Sequence, residues 1–281
     1  MNTLLEPFQY GFFRHATLVA VIAGALCGLV GVYVVLRGMS YIGHGLSHAI
    51  FGGAVASYAL GFNFYVGALS WGFVSALLIN RVSRRRAIGA DAAIGVVTSA
   101  SFAIGIAIIS VIGTFTRNFE AALFGNVLGV TVLDVWLVAA VGVFAAAVVF
   151  FRYRQLLFST FDPEVAQMSG VNTALTDVLL AIILASTIAS TMTVLGVTLI
   201  AATLVIPPVI ARLLTDSFHR MLFISVGVGA SCGFVGVYLS YYLNWSSGAS
   251  VVITAAAVFV VVYAWSALRG RRSAVAGLDA H

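Results

Sequence analysis

An all-α protein that crosses a membrane many times is the fold class this sequence predicts, and three observations predict it. Only 8% of the 281 residues are charged, against about 25% in an ordinary soluble domain. Hydrophobic residues make up 62% of the chain and gather in blocks long enough to span a bilayer, whose core of about 30 Å needs roughly 20 apolar residues. The whole chain carries four prolines to interrupt those blocks, and the short alternating segments of a barrel are absent.

In chain order, spans are expected at 16–36, 41–60, 62–80, 91–112, 132–151, 173–193, 196–213, 221–243 and 248–268. The 173–213 pair is the ambiguous part. Its second member is short and contains Pro207 and Pro208, so one of the two could be broken or re-entrant and the count stands at 8–9 transmembrane helices. The loops between spans are short, and residues 1–281 are expected to form a single transmembrane domain. No basic region precedes the first apolar stretch, so no cleaved signal peptide is expected.

Charge sets the orientation. All fourteen basic residues are arginines, and they cluster at the ends of apolar blocks. If RVSRRR at 81–86 is cytoplasmic, alternation puts Arg37, Arg152, Arg154, Arg212, Arg220 and the tail RGRR on that side too. Only Arg14 and Arg117 then fall outside, a distribution that follows the positive-inside rule. The N-terminus is expected outside and the C-terminus in the cytoplasm. The net charge of +5 thus reflects topology, and nucleic acid is not an expected partner.

Small residues recur at four-residue spacing in Gly24 and Gly28, Gly125 and Gly129, and Gly229 and Gly233, which lets helix backbones approach closely. With Gly43, Gly45, Gly52 and Gly53 they suggest a compact bundle with an irregular second helix. Cys27 and Cys232 lie inside apolar blocks without close cysteine partners in sequence, which points to small buried or lipid-facing side chains.

One longer loop, about 155–174, carries a helix of its own. Asp162 reads as an N-cap, Pro163 as the first helical residue, Glu164 as an acid in the first turn and Gly170 as the stop. A helix of barely two turns is marginal alone in water. It must therefore lie either on lipid or in a groove of a partner protein.

The available chemistry is narrow. With no lysine in the chain there is no P-loop, whose lysine reaches the terminal phosphates; ATP hydrolysis by that motif belongs elsewhere. Asp91, Asp134, Asp177 and Asp216 lie near span ends, whereas ion-coupled carriers hold carboxylates near mid-membrane. Within the apolar blocks the histidines stand out. His44 and His48 sit four apart, so on a helix one lies about a turn above the other on the same face. Two imidazoles so placed could share a first-row transition metal; alternatively each could bond only to backbone or to neighbouring helices. His219 and His281 read as surface residues. His15, near the outer end of the first span, could help admit a metal.

The run RGMSYIGHGLSHAIFGG (37–53) resembles the signature of the zinc/manganese/iron permeases of bacterial ABC importers. DAAIGVVTSASFAIG (91–105), FGNVLGV (124–130), FDPEVAQMSGV (161–171) and VLGVTLIAATLVIPPVIA (194–211) extend the resemblance, in order, over most of the chain. It implies a metal-importer type of ABC permease fold in the bacterial cytoplasmic (inner) membrane. Implied partners are cytoplasmic ABC ATPase subunits, an external solute-binding protein and a second permease copy, as a homodimer. No cofactor is expected to be resident, the metal being substrate. The resemblance makes 161–171 the coupling helix, with Phe161, Asp162, Pro163, Glu164, Val165, Ala166 and Gly170 contacting the ATPase. It also implies a metal site made by an aspartate and a histidine of the second helix. The histidine is His48, but His44 occupies the aspartate's place. Exchanging a carboxylate for imidazole favours Zn²⁺, so zinc import is expected, with manganese or iron as the alternative. A reading of another class, an intramembrane metal-dependent enzyme using the same histidines, would need a third ligand and a general acid or base.

Overall fold

The computed structural model describes residues 6–83, 89–112, 125 and 129–278, and these form helices joined by short turns. Arg84, Arg85, Arg86, Arg117, His281 and most of FGNVLGV lie outside the described residues. After a short 3-10 turn at Glu6–Gln9, the helices are α1 Gly11–Leu36, α2 Ile42–Ala59, α3 Phe64–Ser83, α4 Ala90–Ile112 and α5 Val132–Phe151. Two short helices follow, α6 Tyr153–Phe161 and α7 Pro163–Met168. The chain closes with α8 Thr173–Leu195, α9 Ile200–Leu214, α10 Phe218–Leu243 and α11 Ser247–Leu278.

Each of the nine expected spans is a helix, with ends shifted by a few residues except in the last, which runs on to Leu278. Among the described residues, seven helices are long and apolar enough to cross a membrane. The other two are α2 and α9. At 1.5 Å per residue, the 18 residues of α2 extend about 27 Å, close to a bilayer core, and the 15 of α9 only about 22 Å.

Pro207 and Pro208 do not break α9. A proline inside a helix removes one N–H and frees the carbonyl four residues earlier, here those of Thr203 and Leu204. A Cβ at Gly31 of α1 would run into the Leu204 carbonyl oxygen and crowd the Pro208 ring, so the glycine admits the close approach of α9. Between α8 and α9 the chain turns at 196–199, with Gly196 at φ +86°.

Helices α1, α9, α10 and α11 pack as one group and α2, α3 and α4 as another, with α8 touching both. The seam between α1 and α10 is the tightest. Gly24 meets the backbone of Gly229, Gly28 that of Ser225, and Gly233 that of Ala20. Ser225 Oγ donates to the Gly28 carbonyl at 2.7 Å. Two of the three small-residue pairs therefore do what their spacing predicts. The glycines of α2 do not make it irregular: the helix is unbroken, and Gly52 instead lets α4 approach its backbone at Ser101 and Gly105.

One end of the bundle gathers the C-termini of α1 and α3 with the N-termini of α2, α4 and α8. Arg37, Asn80, Ile94, Thr160 and Asp177 line one cavity of about 410 Å³ there. Arg37 follows α1 and donates to Asp177 Oδ1 at 2.7 Å, to Ser159 Oγ at 2.9 Å and to Thr160 Oγ1 at 3.3 Å. At the opposite end Phe8 and Phe13 pack on Tyr238 and Tyr241, and the Tyr65 hydroxyl donates to Asp134. Asp134 also closes a capping box with Thr131. Asp134 and Asp177 are thus committed to structure, as expected of acids at span ends.

Helix α6 was not expected. Its 153–161 stretch is too short and too polar to register as a span. It forms because Leu156, Ser159 and Thr160 fall on one face and are buried.

Candidate functional site

The turn that delivers the histidines begins at Arg37. Gly38, at φ +67°, lets Met39 N–H reach back to Val34 O at 3.0 Å while its own N–H bonds Val35 O at 3.1 Å. This pair of bonds closes α1 with a left-handed residue that glycine adopts without a Cβ penalty. Helix α2 then starts at Ile42, two residues before His44.

On α2, His44 and His48 are half-buried while their neighbours Gly45, Leu46, Ser47, Ala49 and Ile50 are buried. Their ring centroids are 4.7 Å apart with planes at 76°. His48 packs edge-on against Phe102 of α4 at 5.4 Å, and His44 lies 5.7 Å from Tyr41. Both line a cavity of about 250 Å³ whose far wall is α4, through Gly95, Thr98, Ser99 and Phe102. Behind them, the Ser47 hydroxyl lies 2.8 Å from His44 O and 3.0 Å from Val197 O. It anchors this part of α2 to the turn between α8 and α9.

The arrangement offers two imidazoles to a cavity large enough for a hydrated cation. Among the described residues no third His, Cys, Asp or Glu joins them to make a group of three. His15 is exposed near the start of α1 and does not line this cavity. Cys27 and Cys232 are buried free thiols.

The α4 wall is what the sequence reading missed. Gly95, Thr98, Ser99 and Phe102 recur at the three- and four-residue steps of one helix face. Only Thr98 and Ser99 of this stripe are polar and they are adjacent, so no polar periodicity in DAAIGVVTSASFAIG marks it.

The short helix takes the form its sequence predicts. Asp162 accepts from the N–H groups of Glu164 at 3.1 Å and Val165 at 3.0 Å, Pro163 is the first helical residue, and Gly170 follows the end at φ +79°. Only Ala166 of this segment is buried. Phe161, Val165 and Met168 leave 59%, 50% and 88% of their surface exposed, an apolar face at the end of the bundle where Arg37 lies. Phe161 rests on Phe218 at the start of α10, with centroids 6.0 Å apart.

Comparison with known proteins places this multi-span helical bundle, with its histidine-lined cavity and short exposed helix, among the metal ABC permeases. Residues 9–266 match the ABC 3 transport family, and the chain belongs to that family. It is a multi-pass membrane permease, not an enzyme. Similar proteins include the "Manganese transport system membrane protein MntC" of Listeria innocua, 35% identical over 93% of each chain. The "Manganese import system permease protein ScaB" of Streptococcus gordonii is 35% identical over 91% of each chain. A "Probable iron transport system membrane protein" of Haemophilus influenzae is 36% identical over 95% of this chain and 98% of its own. Among solved structures, PsaBC from Streptococcus pneumoniae in complex with Fab superposes with a TM-score of 0.84 and 31% identity, over 92% of this chain and 94% of that one. The intramembrane-enzyme reading is set aside by this family membership.

Proposed function

We propose that this permease passes Mn²⁺ through a bacterial inner membrane, with His44 and His48 as a transient coordination point. The observation that carries the reading is the pair itself: two imidazoles, edge to face, lining a cavity on an otherwise buried stretch of α2. The exchange of carboxylate for imidazole led us to expect zinc. Relatives along nearly the full chain are named for manganese or iron, and none of the three for zinc, so manganese is the better-supported substrate. A conducting site must hold its ion well enough to admit it and loosely enough to release it. Two neutral nitrogens suit that for Mn²⁺, which imidazole binds more weakly than Zn²⁺.

In this reading residues 1–281 act as one transmembrane domain of 8–9 spans, with α2 and α9 completing the seven longer helices. The arginine-rich end faces the cytoplasm and the N-terminus lies outside. Helix α7 docks into a cytoplasmic ATPase subunit, supported by its exposed apolar face and its acid cap. A solute-binding protein delivers the ion outside, and a second copy of the permease completes the pathway, so that two histidine pairs share it.

Uptake by the assembled complex in proteoliposomes, with Mn²⁺ and Zn²⁺ competing, tests the proposal. His44→Ala and His48→Ala should each remove most Mn²⁺ uptake without loss of assembly. Near-normal uptake by the double variant would end the metal-site reading. A preference for Zn²⁺ in the wild type would restore the earlier expectation.

A further inference from the structure

We propose that the Thr98 hydroxyl of α4 supplies a third, oxygen donor to the cation held by His44 and His48. The inference rests on the reading of that pair as the conducting site.

Thr98 Oγ1 is shielded from solvent and has no hydrogen-bond partner. A threonine hydroxyl in a helix can bond back to a carbonyl three or four residues earlier. Thr191 bonds the Thr187 carbonyl at 2.7 Å, Thr203 that of Ile200 at 2.8 Å and Thr254 that of Ser250 at 2.7 Å. Thr98 makes no such bond, and the residue lines the histidine cavity. Three other threonines, Thr17, Thr187 and Thr193, also carry unpartnered hydroxyls, but none of them lines that cavity.

The position of the hydroxyl is fixed by Gly45. A Cβ built there would lie 2.7 Å from Thr98 Oγ1 and would also collide with Ile94. Glycine at 45 therefore lets the oxygen settle against α2 at the residue that follows His44. One turn earlier on α4, Gly95 also lines the cavity and has nothing within 4 Å of where its Cβ would be. Two nitrogens, one shielded oxygen and free space are thus assembled from two helices.

The chemistry bears on selectivity. Oxygen donors suit Mn²⁺, whereas imidazole adds more for Zn²⁺. A hydroxyl from α4 would return part of the oxygen character lost when histidine stands at 44, without adding a charge that would trap the ion.

The test uses the full complex in detergent and in proteoliposomes, with Mn²⁺ or Zn²⁺ alone as probe. Binding is read by equilibrium dialysis and transport by uptake, both normalised to assembled protein. Thr98→Val keeps the shape and removes the oxygen; it should weaken Mn²⁺ binding by about tenfold and Zn²⁺ binding by clearly less. Thr98→Ser should stay within about twofold of wild type for both ions, because the donor is retained. His48→Ala serves as the control. If it loses binding while Thr98→Val binds Mn²⁺ normally, the Thr98 inference is overturned and the histidine reading stands. Equal weakening of both ions by Thr98→Val, unrelieved in Thr98→Ser, makes the residue a packing element and also overturns it. If His48→Ala binds normally, the underlying reading fails first.

Discussion

Replacing Arg37 by methionine should destabilise the permease by about 3 kcal/mol. The guanidinium holds Asp177 at 2.7 Å, with side chains only 12% and 14% exposed, and it also donates to Ser159 and Thr160 on α6. Methionine preserves most of the volume but takes the Arg37 guanidinium away from an Asp177 side chain that is only 14% exposed. Breaking a buried pair from one side costs about 3–5 kcal/mol, and the location at a bundle end, where water can relax into the 410 Å³ cavity, favours the lower figure. For a large domain this corresponds to a fall in Tm of roughly 6–12 °C. Asp177→Leu should cost a similar amount for the complementary reason. The double variant should recover much of the loss, because an apolar pair of matched volume removes both the charge and its desolvation. Thermal unfolding in one detergent of the wild type, both single variants and the double variant gives the coupling energy directly. Losses that simply add, or an Arg37→Met variant within about 1 kcal/mol of wild type, would refute the claim that this ion pair ties α1 to α8.

Three further outcomes are expected. Gly170→Trp places a bulky side chain at φ +79°, at a cost of about 1–3 kcal/mol; with Glu164→Arg, it should reduce co-purification of the ATPase or its stimulated hydrolysis, and unchanged values for both would remove α7 from coupling. Gly24→Ala should loosen the α1–α10 seam, because the new Cβ meets the Gly229 carbonyl; overpacking of this kind costs about 1–3 kcal/mol, so a Tm equal to wild type would count against the seam. A single cysteine at Arg271, in a background without Cys27 and Cys232, should label only from the cytoplasm and one at Trp245 only from outside; the reverse pattern would invert the proposed orientation.

The spans were legible because membrane burial is written one residue at a time: a block of apolar residues is apolar whatever it later touches. The cap of α7 was legible for a similar reason, since Asp162, Pro163 and Gly170 act on their own backbone. Helix α6 was not, because its formation depends on Leu156 finding the buried flank between α1 and α8, a contact that no local pattern announces. The regularity of α2 escaped for the same reason. Glycine weakens an isolated helix, but Gly45 and Gly52 are held by the close approach of α4. The histidine pair could be seen in the sequence and its cavity could not. Thr98 lies some fifty residues from His48, and only the packing of α2 on α4 makes them neighbours.

The seam between the first long helix and the penultimate one bears on how the protein is made. Gly28 waits for Ser225, 197 residues later in the chain. At synthesis rates of about 5–20 residues per second, that is an interval of roughly 10–40 s during which α1 sits in lipid with its glycine notches uncovered. Packing of small residues is a main source of helix association in a bilayer, so those notches are also the place where a wrong neighbour could dock. The final bundle can therefore close only near the end of translation, and a chain stopped before residue 218 would keep its first helix without the surface that fits it.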